Sequence, residues 1–487
     1  MSKAKIVEKY VIRTAMKTLA PIRIASGQED GVTDILILKN KQNEAFIPGT
    51  SLAGVLRANI SDIYGEEAAG QLFGSIKDNG NSGEQSMLNI SDIVLGGSEI
   101  IYRDGVAIDT YRGVGKDGSK YDFEMLDRGS EGELLIEITV RQADNEKPMN
   151  TGFIHSGFET RGAIYKDMAA TIADLLTSGV SVGSLTTKGF GLIASKEPAE
   201  VVCFDFKDGS GFESWLDYLK RGKLTETEYV GNPLSLTSAA YSTIKVEAAF
   251  DLRSSLIIRD YDAAEERNDS LSNNSLSKDD NKKLSSVQMM SGDSFVIPGT
   301  SIKGVLRNRA KKILMTLSGA HNTATDSFLN NLMGFSDKKA SSKSRLSVEE
   351  VYIAGDALTK HRHSRNRIDR FTGSTVDGAL FTEEPVWQQQ KGSAPVRLSM
   401  TIRNASKAEA GLLLLLVKDL WLGSLAIGGG KSVGRGTLRG RTCKISFEGK
   451  EFAINESAGF AVEGDRAELE SYVAALIEAA KEMAVKE

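Results

Sequence analysis

Phe46-Ile47-Pro48-Gly49-Thr50-Ser51-Leu52-Ala53-Gly54-Val55-Leu56-Arg57 occurs a second time in this chain, as Phe295-Val296-Ile297-Pro298-Gly299-Thr300-Ser301-Ile302-Lys303-Gly304-Val305-Leu306-Arg307. The prolines stand 298 − 48 = 250 residues apart. Two further matches follow in the same order. Ile108-Asp109, Tyr111, Gly113 and Asp117-Gly118 return as Ile368-Asp369, Phe371, Gly373 and Asp377-Gly378, and Gly189-Phe190-Gly191 returns as Gly434-Arg435-Gly436. Collinear recurrence at a long period marks a duplicated unit. The chain reads as two copies of one domain, 1–200 and 240–450, joined by a linker over 201–239 and followed by a tail over 451–487. In the second copy, 262–286 is poor in apolar residues and is expected to be a disordered insertion. In the tail, Leu469, Val473, Leu476, Ile477 and Ala480 recur at helical spacing and predict an amphipathic helix.

Each copy gives the same order of elements. Residues 5–19 are rich in β-branched residues and predict a strand. Pro48-Gly49 predicts a turn, and Thr50 or Ser51 an N-cap for a helix over 52–64. A strand is expected over 134–140. Helices over 169–177 and 408–422 each run into a glycine-containing loop and then a strand, over 192–194 and 437–441. Strand, helix, strands, helix, strand is the order of a ferredoxin-like α+β domain of the RNA-recognition-motif kind. The linker carries one helical stretch, over 215–220.

Composition removes several function classes. Cys203 and Cys443 are the two cysteines among 487 residues, too few for a disulfide framework or a cysteine zinc site, and they fit a reducing cytoplasm. The N-terminus lacks the apolar run of a signal peptide, and the apolar stretch 412–417 is far too short to span a bilayer. A soluble, cytoplasmic protein without a membrane partner is expected. The net charge of −5 counts against a free-standing nucleic-acid binder but is compatible with basic patches on an acidic scaffold.

Several motifs could hold RNA. The Pro-Gly-Thr-Ser turns place backbone N–H groups at a helix start, a natural phosphate site, with Thr50, Ser51, Arg57, Thr300, Ser301, Lys303 and Arg307 as candidates. The plain alternative is an ordinary capped helix. Gly428-Gly429-Gly430-Lys431-Ser432-Val433-Gly434-Arg435-Gly436 resembles a P-loop but fails its spacing, because Leu425 stands where a glycine is required. It also follows a helix, so NTP hydrolysis is disfavoured. A nest of N–H groups with Lys431 and Arg435, and Lys188 in the matching loop of the first copy, could grip an RNA backbone; a tight helix-to-strand turn is the competing reading. Residues 360–370 hold five Lys/Arg against one Asp. There Arg362, Arg365, Arg367 and Arg370, with Phe371, suit phosphate contact and base stacking. His155, His321, His361 and His363 lack metal-ligand spacing.

These residues carry a family resemblance. FIPGTSLAGVLR (46–57), FVIPGTSIKGVLR (295–307), IDRFTGSTVDGALFTEEPV (368–386) and GGGKSVGRGTLRG (428–440) resemble the RAMP superfamily, and within it the backbone subunits of type III CRISPR effector complexes. The two-copy fusion resembles the fused subunits of III-D-type complexes. The resemblance implies partners: guide RNA, complementary target RNA and other subunits of such a complex. It implies a β-hairpin that interrupts the guide–target duplex, matched here by 106–122 and 366–381. It further implies that an Asp in the loop before the Ile-Pro-Gly turn cleaves target RNA with Mg²⁺ or Mn²⁺. Asp34 falls on that position and is the candidate catalytic and metal-binding residue. Aligning 254–260 with 34–40 puts Ser254 in its place in the second copy, which leaves that copy either inactive or served by Asp251, Asp260, Asp262 or Asp293 as a substitute.

Three functions compete: a guide-binding subunit that cuts target RNA, a non-catalytic scaffold of the same complex, and a guide-precursor-processing ribonuclease using His361 or His363 as general base.

Overall fold

The structure is a computed structural model, and it describes residues 5–29, 33–76, 83–108, 115–146, 161–207, 209–222, 242–274, 283–319, 323–336, 340–456 and 461–485. The chain divides into two compact units, Met1–Thr186 with Phe190–Ala240, and Thr187–Gly189 with Tyr241–Glu487.

In the first unit the elements in order are β1 (Ile6–Thr18), α1 (Gly49–Tyr64), β2 (Leu88–Ile90), β3 (Ile100–Ile108), β4 (Gly115–Leu126), β5 (Glu131–Arg141), α2 (Arg161–Ser178), β6 (Leu192–Ser195), β7 (Val201–Asp205) and α3 (Gly209–Arg221). The sheet runs β2-β5-β1-β6, with the short strand Val180–Ser181 beyond β6. Strand β7 pairs the N-terminal half of β1 (Glu8 with Asp205, Ile12 with Val201), while β6 pairs its C-terminal end (Met16 with Ser195). Both helices follow a strand of this antiparallel sheet, which is the ferredoxin-like arrangement. Helix α1 buries Leu52, Leu56 and Ile60, spaced four apart on one face, together with Tyr64. Such apolar side chains contribute roughly 1.5–3 kcal/mol each. They join Ile12, Ile136 and Ile138 of the sheet and Ile172 and Leu176 of α2 in one core.

The second unit repeats the plan: β8 (Ile244–Leu252), α4 (Asp262–Asn274), β9 (Ser286–Gln288), α5 (Gly299–Ser318), β10 (Leu346–Val348), β11 (His363–Arg365), β12 (Phe381–Glu384), β13 (Val396–Ile402), α6 (Lys407–Trp421), β14 (Leu438–Phe447), β15 (Lys450–Asn455), β16 (Ala461–Glu463) and α7 (Arg466–Val485). Its sheet runs β10-β13-β8-β14-β15-β16, the first unit's order with two strands added. A capping box at Ser406 and Glu409 starts α6, whose apolar face packs in the core with Leu412, Leu413 and Leu416.

Four expectations change. Thr50 and Ser51 do not cap α1. Pro48 holds the N-cap position without a side-chain bond, its carbonyl accepts the N–H of Ser51 at 2.9 Å, and Pro298 does the same before α5. The interval 201–239 begins inside the first unit, because β7 belongs to the sheet and α3 packs Trp215 and Tyr218 against Phe204; residues 223–239 lie outside the described residues. The interval 262–286 holds a helix, α4, and the start of β9. The helix is kept by a buried Ala264 against Leu284 and Val287, and by Asn268, whose side-chain amide exchanges two bonds with the backbone of Leu284. Residues 275–282 lie outside the described residues. The interval 451–487 is not a separate tail: β15 and β16 extend the second sheet, and α7 buries Tyr472 and Leu476 in the same core.

The duplicated glycine after each helix-to-strand loop has a steric cause. Gly191 (φ +78°) and Gly436 (φ +77°) are left-handed, and an added Cβ would meet the carbonyl oxygens of Val182 at 2.0 Å and Ile427 at 1.8 Å. Gly436→Ala is expected to destabilise the second unit by about 2–5 kcal/mol, from the left-handed penalty plus the clash, read as a shift in the urea unfolding midpoint.

Candidate nucleic-acid interface

In the first unit β3 and β4 form a hairpin, with Tyr102 facing Glu124 and Asp104 facing Asp122. Its tip, 109–114, with Asp109, Tyr111, Arg112 and Gly113 of the repeat, lies outside the described residues. The loop before the Pro-Gly turn is strapped to β4. Ile35 bridges Phe123 in parallel, the N–H of Glu124 donates to the carbonyl of Ile35 at 3.0 Å, and Glu124 Oε2 accepts the N–H of Ile37 at 3.1 Å. This fixes Asp34 beside the Asp104–Asp122 pair of the hairpin ladder. Asp34 is exposed, and its Oδ2 accepts the backbone N–H of Asp122 at 2.9 Å. Beside it, the Asp122 carboxyl lies above the usual range because it shares a hydrogen bond with Asp104. Lys120 Nζ reaches Asp104 at 3.2 Å and Asp122 at 3.7 Å. Among the described residues no three His, Cys, Asp or Glu side chains are grouped to hold a metal ion.

In the second unit β11 and β12 pair, and Ile368 bridges Thr375 further out. The loop between them is built by Asp369, whose Oδ1 accepts the N–H groups of Phe371 at 2.8 Å and Thr372 at 2.9 Å. Those bonds hold the Asp369 carboxyl below its usual range. The outcome is a Phe371 side chain 99% exposed, flanked by exposed Arg367, Ile368 and Arg370. An aromatic ring ordered into solvent beside two cations suits base stacking and phosphate contact.

Other predicted RNA-binding residues are occupied internally. Arg57 donates to the carbonyl of Gly74 at 2.9 Å and pairs with Glu66 at 2.7 Å. Arg307 does the equivalent in its unit, donating to Gly334 O at 2.7 Å and Asn330 Oδ1 at 2.6 Å. Each arginine braces the C-terminal end of the short helix next in the chain, Glu66–Phe73 for Arg57 and Thr323–Met333 for Arg307. Lys303 is buried, donates to Ser344 Oγ and Leu346 O at 2.8 Å each, and burial pushes its ammonium down to about 7. Arg362 pairs with Glu384, while Arg365 and Arg435 pair with Glu383. The glycine loop is not an open nest: the N–H groups of Gly429, Val433, Gly434, Arg435 and Gly436 all donate to carbonyls. Lys431 stands exposed at the start of the turn Lys431–Val433, and Lys188 is half-buried at the end of Thr186–Lys188. Thr50 is exposed, and Ser51, Thr300 and Ser301 are half-buried in first helical turns. In the first copy, the N–H of Gly49 is already taken by Asp92 Oδ1 at 2.8 Å.

The substitute aspartates have other work. Asp251 is buried and accepts from Gln388, Gly392, Ala394 and Arg441; burial opposes its charge, but the bonds from Gln388 and Arg441 prevail and its pKa lies below the ordinary value. Asp260 accepts the N–H of Ala263 at the start of α4, Asp262 lies in its first turn, and Asp293 lies in the exposed turn between Met290–Ser291 and Ser294–Ile297. His361 and His363 both pack on Trp387, at 5.3 and 4.9 Å between ring centroids; His155 and His321 lie outside the described residues.

The registers also correct the match between copies. Ile22 and Leu126 exchange two backbone bonds, as do Leu256 and Val386. Ala25 bridges Ile37, as Arg259 pairs Gln288. Leu38 N–H donates to Ile24 O, as Met289 N–H does to Ile258 O. Ile35 runs parallel to Phe123, as Ser286 does to Glu383. The counterpart of Asp34 is therefore Ser285. Ser254 instead ties its loop to the start of β14, its Oγ meeting the N–H and Oγ1 of Thr437 at 3.1 and 2.6 Å. The long segment carrying α4 falls inside the loop that precedes this position, which displaced the linear alignment. Nothing in the local sequence singled out Glu383 and Glu384, the buried anions that gather Arg259, Arg365 and Arg435, and Arg267 and Arg362, respectively.

Among the described residues no helix is long and apolar enough to cross a membrane. A family model described as RAMP superfamily matches residues 15–194 and 229–439. Comparison with curated proteins gives no match. Among solved structures, a chain of "Cryo-EM structure of the Type III-B Cmr-beta bound to cognate target RNA" aligns with TM-score 0.29 and 14% identity, over 40% of this chain and 61% of that one.

Proposed function

Since this chain belongs to the RAMP superfamily, with both halves matched, we propose that it is a guide-RNA-binding backbone subunit of a type III CRISPR effector complex that cuts complementary target RNA at Asp34. The observation that carries the reading is Asp34 itself: an exposed carboxylate fixed by a backbone bond beside the Asp104–Asp122 pair of a hairpin. A hairpin that parts a guide–target duplex leaves a nucleotide unpaired at its base. There the ribose 2′-oxygen attacks the adjacent phosphorus in line. The P–O2′ bond forms, the P–O5′ bond breaks, and the 2′-hydroxyl proton ends on the departing 5′-oxygen, leaving a 2′,3′-cyclic phosphate and a 5′-hydroxyl.

A site with one exposed carboxylate and, among the described residues, no group of three His, Cys, Asp or Glu side chains fits Mg²⁺ or Mn²⁺, which are held by one or two carboxylates, water and substrate phosphate. Asp34 would hold the ion, and the ion would supply charge stabilisation at the phosphate. The protein's own part is to fix that carboxylate through Asp122 N–H and to hold the RNA. Phe371, Arg367 and Arg370 are the second copy's contribution to holding it. Phe371→Ala is expected to weaken binding of a guide–target duplex by about 1–3 kcal/mol with unchanged thermal stability, measured by gel shift and melting. Unchanged binding would remove the second hairpin from the interface.

A further inference from the structure

We propose that the second copy of this chain does not cut RNA, and that Ser285 is the residue that silences it. The inference rests on the reading of Asp34 given above and extends it to the other half of the chain.

The two sites share their framework down to individual bonds. In the first copy the N–H of Asp122 donates to Asp34 Oδ2 at 2.9 Å. In the second, the N–H of Thr382 donates to Ser285 Oγ at 3.3 Å, and Ser285 returns its own N–H to the carbonyl of Thr382 at 2.7 Å. Both side chains are exposed, at the same register beside the second strand of their hairpin. What differs is chemistry. A carboxylate carries a charge that can hold a divalent cation or take up a proton near neutral pH; a serine hydroxyl carries none and is a far weaker base.

Among the described residues, the aspartates weighed as substitutes have other partners or lie elsewhere. Asp251 has its carboxylate filled by side-chain and backbone donors, and Asp260 closes the start of α4. The surroundings have diverged along with it. Arg23, stacked 4.7 Å over Phe123 in the first copy, has the buried Ile257 as counterpart. The segment before Ser285 carries α4, whose Arg267 pairs with Glu384 at 2.6 Å, where the first copy has the short loop that presents Asp34. The second copy retains the hairpin and its exposed Phe371 and so keeps the means to hold RNA without the group that cuts it.

The test uses the complex assembled with guide RNA, end-labelled complementary RNA and Mg²⁺. Wild type is compared with Asp34→Ala, with Ser285→Asp, and with the triple variant Asp260→Asn/Asp262→Asn/Asp293→Asn. Gel shifts of guide and target establish that each variant still assembles. The expected result is that Asp34→Ala removes a product, the triple variant removes none, and Ser285→Asp adds a product at least about 10-fold above wild-type background. A product lost in the triple variant but kept in Asp34→Ala would overturn the proposal. So would a Ser285→Asp complex that binds both RNAs normally and adds no product. If Asp34→Ala removes nothing, the parent reading fails instead, a separate outcome that takes the inference with it.

Discussion

Glu383→Ala is expected to destabilise the second unit by about 3–5 kcal/mol, the cost of leaving a buried charge without its counter-ion. The Glu383 side chain is 4% exposed and faces Arg435 Nη1 at 2.7 Å, Arg259 Nη2 at 3.0 Å and Arg365. Arg259 and Arg365 are partly exposed and can turn to water when the carboxylate is gone. Arg435 cannot, because its side chain is only 6% exposed. The duplication supplies the control. The same two positions in the first unit are Phe123 and Phe190, packed with Met125 in a small apolar cluster. One copy thus fills this junction with an ion pair and the other with two rings. Replacing a buried pair by apolar residues is often neutral, whereas removing one partner is not. The double variant Glu383→Phe/Arg435→Phe is therefore expected to regain most of the stability lost in Glu383→Ala. Urea unfolding followed by far-ultraviolet circular dichroism measures both. A single variant within about 1 kcal/mol of wild type would mean that the network acts as an exposed one.

Asp34→Ala is expected to lower formation of the first copy's product by about 10²–10⁴-fold while guide binding stays at the wild-type level. The structural cost is small, since the carboxylate is exposed and, among the described residues, is tied by the one bond from Asp122 N–H. Asp34→Asn separates charge from geometry. Its amide oxygen can still accept from Asp122, so the loop keeps its position while the charge is lost. Activity that falls equally in both variants assigns the effect to the carboxylate charge. Activity kept in Asn but lost in Ala would make Asp34 a loop-positioning residue. Time courses on end-labelled target RNA give the rates.

The fold was legible because its signals are periodic and local. The repeated Pro-Gly turn, the four-residue spacing of Leu52, Leu56 and Ile60, and the glycines at 191 and 436 each follow from steric or burial rules that act over a few residues. The hairpins were legible only through the family resemblance that 106–122 and 366–381 carry, and Asp369 makes the turn that exposes Phe371. The arginines were harder to read. Arg57, Arg307, Arg362, Arg365 and Arg435 look like phosphate ligands in a linear reading, but their partners are two glycine carbonyls, an asparagine and three glutamates that lie outside the motifs in which they were read. Only tertiary contact distinguishes a bracing guanidinium from a free one. The match of Asp34 to Ser254 failed for a related reason. The polar composition of 262–286 concealed a helix, α4, whose stability comes from Ala264, Arg267 and Asn268 meeting distant residues, and the length it adds shifted the register of everything before Ser285.

Every role proposed for this chain depends on its holding a guide RNA. The direct measurement is to purify the tagged protein from cells that express it with its native partners and to sequence the RNA that accompanies it. One class of short RNAs that share a common end and differ in the remainder is expected. Recovery of no RNA, or of fragments in proportion to their cellular abundance, would contradict it.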